Sequence, residues 1–361
     1  MRKVLNYIFI VLFLAVCIIP LIFSNKKAGM ISKVENRALA EFPEVFNDDG
    51  AINPELKTGF NSWLNDNIGF RDTLMGFNTK IQYTLFNKIN SSDVILGKNG
   101  WLFYQGEGGI SINDYQAKTL YTEKQLKKIL NNVTELQKWC DDNGMEFVLM
   151  LMPNKEHIYR EYMPDGIKEV HKEKNIDLVV DYIRENSDIK VVYPKEELLK
   201  AKEKYDVYYK YDTHWNDLGA YEGYKALMSA LNITPLSFEN IEAREYDGGD
   251  LANMAMLSGI IEAYDENFIS YSGTVEILYD DENGNNAYQK YRYNDGHGKI
   301  FFMGDSFRDA LKPMLSRTFE YSDFVHRDTE IFNEVLKEKP DIFVYQMVER
   351  YVSRLENPVL K

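Results

Sequence analysis

Cysteine is almost missing from this chain of 361 residues, which has only Cys17 and Cys140. Cys17 falls inside an apolar run, so Cys140 stands alone in the rest. That argues against an intramolecular disulfide and against a cysteine-based metal site. The run LAVC followed by IIPL is a poor lipoprotein signal, because Val16 is not small. Positive charge is in deficit: 42 Lys and Arg face 56 Asp and Glu, for a net charge of −14. A nucleic-acid partner needs a basic face to neutralise phosphates, so the balance argues against one. Internal repeats and low-complexity tracts are missing too.

Apolar residues are plentiful, at 45% with 14% aromatic, enough for a substantial core. The first of them stand together. MRK is followed by a predominantly apolar stretch from Val4 to Phe23, about the 20 residues that cross a bilayer. Only Asn6 in it is strongly polar, and Pro20 is tolerable in such a helix. No small-x-small cleavage site follows in SNKKAGM. We expect residues 1–24 to be an uncleaved signal anchor, a single transmembrane pass with the rest outside the cytoplasm. A cleaved signal peptide is the alternative. Arg2 and Lys3 precede the stretch but Lys26, Lys27 and Lys33 follow, so flanking charge does not decide orientation. A large exported part without disulfides points to a bacterial cell membrane.

Residues 25–90 read as a tether and a helical segment, with FNSWLNDNIGFRDTLMGFNTKIQYTLF forming one or two amphipathic helices. From residue 91 to 361 we expect one domain. VILGKNGWLFY reads as a hairpin turning at Lys98-Asn99-Gly100. Helices and strands then alternate. TEKQLKKILNNVTELQKWCDDNG is a helix with Thr122 as cap and Gly144 as stop. MEFVLMLM is a buried strand ending at Pro153. VHKEKNIDLVVDYIRENS, IKVVYP and LGAYEGYKALMSALN are helix, strand and helix. Residues 235–297 are less regular and read as an insertion with some β-structure. The strand KIFFM, a helix after Ser306 and the strand DIFVYQMVERY close the chain. Continuous apolar strands between helices predict an α/β fold, a mostly parallel sheet with helices on both faces.

Sites in such sheets form at the carboxyl ends of strands. Ser306 follows KIFFMGD there, and Asn154 and Lys155 follow MEFVLMLMP. The segment DTHWND precedes a helix and can reach the same edge. A serine nucleophile needs a base, and the base an orienting carboxylate. Asp212 and His214 supply both, Trp215 can wall the site, and a helix starting near Ser306 can aim N–H groups at an oxyanion. The plainer explanation of Gly-Asp-Ser is a helix cap made by Asp305 or Ser306. Among the other histidines, His326 beside Arg327 and Asp328 is the competing base. His171 reads as a solvent-facing helix residue and His297 lies in a DGHG loop. A metal held by Asp212, His214 and Asp217 lacks a second histidine at ligand spacing, so no metal and no cofactor are expected. Asn154 is an oxyanion candidate, though a turn after Pro153 explains it equally well. Lys155 and Arg308 are candidates to touch substrate, and ion pairing explains them equally well. Most of the 25 tyrosines are expected in core or interface positions.

YDTHWNDLGAYEGYKAL together with MGDSF resembles the alginate O-acetyltransferases of the AlgX/AlgJ type, also called DHHW proteins, of the SGNH-hydrolase-like superfamily. The resemblance runs over nearly all of the chain after the apolar stretch. Its order is ENRALAEFP, FNSWLNDNIGFRD, GWLFY, MPNKEHIY, DTHWN, GDLA at 249–252, and GDSF. It implies an SGNH-like fold and acetyl transfer to hydroxyls of an exported or cell-envelope polysaccharide. Ser306 would be the nucleophile, His214 the base and Asp212 the orienting acid. The acetyl donor would be a membrane-bound O-acyltransferase. A further carbohydrate-binding domain of some relatives is not expected. The acidic net charge suits a neutral or cationic glycan better than a polyanion. A carbohydrate acetyl esterase and a non-catalytic envelope scaffold or glycan-binding protein are the alternatives.

Overall fold

A computed structural model describes residues 2–24, 29–30, 38–47, 50–106, 109–245, 249–262, 264–281, 288–329 and 332–360. Lys26, Lys27, Lys33, the Glu35–Arg37 part of ENRALAEFP and parts of the expected insertion lie outside the described residues. The chain divides into two compact units. One comprises residues 1–91 with 252–261, the other residues 92–251 with 262–361.

Among the described residues the first unit includes helices α1 (Arg2–Ile22), α2 (Leu56–Asn67) and α3 (Arg71–Phe86). The expected amphipathic segment is thus two helices. They break at Gly69 and Phe70, the latter left-handed at φ 61°. Asp66 and Asn67 at the end of α2 hold the strap before it: Ala40 N–H donates to Asp66 Oδ2 and Asn67 Nδ2 to Ala40 O. Phe42 packs edge-on to Trp63 there, 5.0 Å between ring centres. Counting only described residues, no helix is long and apolar enough to cross a membrane; the side chains of residues 1–3 and 5, at the start of α1, are outside the description.

The second unit is built on a seven-stranded sheet. Its strands are β1 (Glu146–Met152), β2 (Lys190–Val192), β3 (Glu276–Asp280), β4 (Tyr288–Arg292), β5 (Lys299–Gly304), β6 (Tyr321–His326) and β7 (Ile342–Val348). They lie in the order β2-β1-β7-β5-β6-β4-β3. The five from β2 to β6 pair in parallel, while β4 and β3 add antiparallel. The sheet is therefore mixed, mostly parallel with an antiparallel edge. The antiparallel edge comes from the expected insertion, part of which is an integral border of the sheet. Sequence reading also passed over β6. Buried Ser322 and Asp323 interrupt its apolar run, and the fold satisfies them: Ser322 Oγ donates to Leu315 O, and Tyr288 O–H to Asp323 Oδ1. The expected hairpin forms, with Ile95 opposite Phe103.

Alternation along the strands feeds two cores. Val148, Met150, Ile300, Phe302 and Val344 face helices α7 (Asp217–Ala230) and α8 (Lys312–Thr318). Phe147, Leu149, Phe301, Met303 and Phe343 face α4 (Glu123–Asp142) and α5 (Asn175–Asn186). Thr122 caps α4 in a capping box with Gln125. The short helix α6 (Lys195–Ala201) follows β2 and was not expected. His171 is exposed but lies in the loop before α5, not on a helix. After Ser306 the chain makes a 3-10 turn, Ser306–Leu311, before α8 begins.

Two glycines let α7 lie close to the segment before it. A Cβ on Gly219 would meet Val207 O at 2.0 Å, and one on Gly223 would meet the Trp215 ring at 2.5 Å. Helix propensity favours alanine over glycine by about 1 kcal/mol. Overlap with a backbone carbonyl, which cannot swing aside, costs at the upper end of the ~1–3 kcal/mol seen for overpacking. Gly219→Ala should therefore lower stability by about 1–2 kcal/mol in urea unfolding; unchanged or raised stability would contradict this packing.

Candidate active site

The carboxyl ends of β1, β7 and β5, neighbours in the sheet, carry Asn154, Arg350 and Ser306 just beyond them. Strand β5 ends at Gly304, where a Cβ would meet Gln346 Oε1 at 2.2 Å. Asp305 follows, buried, and caps the turn: its Oδ1 accepts from Phe307 N–H at 3.1 Å. The same carboxylate accepts from Gln346 Nε2 at 2.9 Å and Val348 N–H at 2.7 Å, and pairs with Arg327 at 3.4 Å. The capping role falls to Asp305, which leaves Ser306 exposed with its hydroxyl free for another partner.

That partner is His214. Its Nε2 lies 2.6 Å from Ser306 Oγ, and its Nδ1 lies 2.6 Å from Asp212 Oδ1. Asp212 Oδ1 also accepts from His214 N–H at 2.8 Å, and Oδ2 from Asp250 N–H at 2.9 Å. The chain before α7 folds back on itself to present this pair. Tyr208 bridges Trp215, and Tyr209 N–H donates to His214 O. His326, the competing base, ends β6 beside Asp328.

Lys155 fills the inside of that loop. Its buried ammonium donates to the carbonyls of Tyr209, Lys210 and Asp212 at 3.0, 3.2 and 2.7 Å. All three of its protons are thereby used. The rings of Trp101 and Phe103, from the hairpin, lie 5.4 and 5.3 Å from it. Burial pushes its pKa down to about 8, against the charges of Glu156, Asp212, Asp250 and Asp206. Lys155 is thus placed beneath the loop and not toward a substrate. Trp215 is buried as well; its Nε1–H donates to Phe307 O at 3.0 Å, tying the histidine loop to the serine turn. Arg308 turns back beneath its own turn and donates to the carbonyls of Gly304 and Asp305. Asn154 is buried, its N–H given to Glu349 Oε2. Its Nδ2 has no partner among the described residues and is closed to solvent. Arg308 and Asn154 are both buried, whereas Ser306 is exposed.

Asp250 went unrecognised as a site residue. Its Oδ1 accepts from Thr213 N–H at 2.8 Å and its Oδ2 from Thr213 Oγ1 at 2.6 Å, while its own N–H holds Asp212. Gly249 before it has φ 75°, and a Cβ there would meet Asp212 Oδ2 at 2.5 Å. The signal in the sequence was the Gly-Asp pair of GDLA. Asp212, His214 and Asp250 have ligand atoms within 4.8 Å of one another, but both oxygens of Asp212 already take N–H donors. Asp217, named with them as a metal candidate, instead accepts from Ile269 N–H at the start of α7.

The electrostatics follow from these contacts. Burial works against an ionised Asp212, yet the hydrogen bond and charge of His214 hold its pKa well below the usual range. Burial likewise disfavours the His214 imidazolium, but Asp212's hydrogen bond and charge, with Asp250's charge, raise its pKa. Burial and the charge of Asp212 push Asp250 up. The result is a histidine whose proton sits toward Asp212 and whose Nε2 accepts from an exposed hydroxyl.

Comparison with known proteins gives a consistent neighbourhood. The family described as SGNH hydrolase-like domain, acetyltransferase AlgX, matches residues 94–318. A probable alginate O-acetylase AlgJ of Pseudomonas aeruginosa is 28% identical over 142 residues, 39% of this chain and 33% of that protein. One of Pseudomonas putida is 26% identical over 175 residues, 48% of this chain and 42% of that protein. The chain thus spans less than half the length of these curated relatives. Among solved structures, a DHHW family protein from Eubacterium siraeum has a TM-score of 0.53 at 15% identity, covering 74% of this chain and 99% of that one. Bacillus cereus PatB1 has 0.51 at 14%, covering 75% and 99%. At these identities the structural likeness is one of fold.

Two outcomes are expected. The base is neutral His214, so reactivity of Ser306 toward an activated ester is full above its raised pKa and lost as pH falls through it. The midpoint of that acid limb should lie above the ordinary histidine value of 6.5. In Asp212→Asn the limb should move down and the rate fall at least about a hundredfold. A limb at the same pH in both proteins would refute this account of the histidine. Asp250→Ala removes both acceptors from Thr213 and should slow the reaction by about tenfold to a hundredfold, from ~1.5–3 kcal/mol of charge-assisted hydrogen bonding. An unchanged rate would show that the loop holds without it.

Proposed function

This chain belongs to the AlgX family of SGNH hydrolase-like acetyltransferases, and on that premise we propose that it transfers acetyl groups to hydroxyls of an exported or cell-envelope polysaccharide. The observation that carries the reading is the unbroken relay Asp212–His214–Ser306, with 2.6 Å at each link and the serine exposed.

Ser306 Oγ attacks the acetyl carbonyl carbon of a donor while His214 Nε2 takes its proton. The tetrahedral intermediate collapses, the donor's leaving oxygen takes that proton from His214, and an acetyl-serine ester remains. A sugar hydroxyl attacks this ester, gives its proton to His214, and leaves as the O-acetylated glycan while Ser306 recovers its proton. Asp212 stays ionised throughout and keeps the imidazole in one tautomer. The Phe307 N–H is spent on Asp305 and does not serve the oxyanion.

The donor in this reading is a membrane-bound O-acyltransferase. The anchor is α1, whose 21 residues would reach about 31 Å at ~1.5 Å per residue, close to a ~30 Å hydrocarbon core. Its described apolar side chains, such as Phe9, Val11 and Phe13, are exposed. In this reading the catalytic domain lies outside the cytoplasm of a bacterial cell. The net charge of −14 favours a neutral or cationic glycan. Hydrolysis is the second reading, favoured by the exposure of Ser306, which admits water as acceptor.

The test is intact mass of the full chain in detergent after exposure to an activated acetyl ester. An acetyl adduct or ester turnover is expected, absent from Ser306→Ala and His214→Ala. Added oligosaccharide should gain acetyl groups faster than free acetate appears. Acetate release alone would favour the esterase. An adduct retained in Ser306→Ala would end the proposal.

A further inference from the structure

Helix α3 carries an apolar stripe that the described residues of its own unit leave largely exposed. Phe70, Leu74, Phe77, Ile81 and Leu85 recur at helical spacing and share one face. Phe70, Leu74, Phe77 and Leu85 are 48%, 52%, 64% and 71% exposed, and Ile81 is half-buried. Thr79, on the opposite face, is buried. The helix is therefore seated on its other side, and its most apolar face points outward.

The start of α3 is fixed to the end of α1. Gly69 N–H donates to Pro20 O at 2.8 Å, and the Phe70 ring lies 5.4 Å from that of Phe23. A Cβ on Gly69 would meet Phe23 O at 2.4 Å, so only glycine permits this approach. If α1 spans the bilayer, its last turn marks where the chain leaves the hydrocarbon, and the exposed stripe begins at that level. Charge fits the same partner. Lys80 on α3 and Lys88 just beyond it are cationic, while Arg71 pairs with Asp66 and Asp72 at 3.9 Å each, in a chain whose net charge is −14. Lys80 and Lys88 are exposed. An apolar face bordered by long cationic side chains is the pattern of a helix lying in a membrane interface, with its cations among anionic headgroups.

We propose that α3 is an interfacial helix, its Phe70–Leu85 face immersed in the headgroup and upper acyl region of an anionic bilayer beside the end of α1. This rests on the reading of α1 as an anchor and goes beyond it: the unit would be laid on the membrane, not merely tethered to it.

The chain supplies its own control. Cys17 is exposed on α1, whereas Cys140 is buried and its thiol is pushed up to about 12, so a fluorophore reacts at Cys17 alone. The full chain would be reconstituted into vesicles of phosphatidylethanolamine and phosphatidylglycerol. An environment-sensitive fluorophore would be placed on native Cys17, or on Phe77→Cys in a Cys17→Ser background. Both probes should shift to the blue. The Phe77 probe should be quenched by nitroxides near the headgroup and the Cys17 probe by nitroxides deep in the acyl chain. A water-like Phe77 probe beside a quenched Cys17 probe overturns the inference and leaves the anchor standing. Two water-like probes overturn the anchor as well. A blue-shifted Phe77 probe that no lipid nitroxide quenches, and that reverts as protein is diluted in lipid, assigns the face to a second copy and overturns the inference.

Discussion

The site depends on one buried carboxylate. Asp305 receives the Phe307 N–H of its own turn, the side chain of Gln346, the Val348 N–H and the Arg327 guanidinium. An unsatisfied charge in that position would cost several kcal/mol. With its donors in place it binds the end of β5 to β7 and to the residue after β6. Ser306 is the next residue along, and it is displayed because its predecessor is held. Lys155 does for the histidine loop what Asp305 does for the serine turn, with the sign of the charge reversed and carbonyls as partners. Trp215 then joins the two. Two segments far apart in sequence thus meet through buried polar contacts whose geometry is directional, which hydrophobic packing alone is not.

The division between buried support and exposed chemistry is sharp. Asp305, Lys155, Trp215 and Arg308 are all withdrawn from solvent, while Ser306 is open to it. Between them stand Asp212, His214 and Asp250, where burial and neighbouring charge pull in opposite directions. Asp212 ends ionised because it accepts from three donors. Asp250, with two from Thr213 and a charged neighbour, is pushed the other way. Two aspartates in one network therefore differ in proton affinity for a local reason: which of them faces the imidazole.

Much of this was legible in the sequence. A buried strand closed by Gly-Asp-Ser announces a side chain set at a sheet edge, and Asp-x-His is short enough for one loop to display both groups. The long strands and the α4 cap follow from apolar runs and from Thr122. What was not legible depends on tertiary contact. Lys155 after a strand reads as a surface cation until a loop from 55 residues away closes over it. Asp250 lies 38 residues beyond Asp212 in an irregular stretch, and only the fold returns it to the site. Strand β6 hides because Asp323 looks out of place in a buried strand unless Tyr288 is known to be beside it. Arg308 and Asn154 are buried although both are polar, and a sequence shows that a residue is polar, not which way it turns.

The last strand of the sheet in chain order, β7, lies at its centre, between β1 and β5. A protein made and moved in linear order must keep the two halves of this sheet apart until that strand arrives. Until then β1 shows an unpaired edge, and the donors of Gln346 and Val348 that hold Asp305 do not yet exist. Pairings so distant in sequence form late and slowly. Timing is thus written into the topology: the histidine loop and the serine turn both precede the strand whose donors fix Asp305. The serine turn is secured only when that final strand has paired.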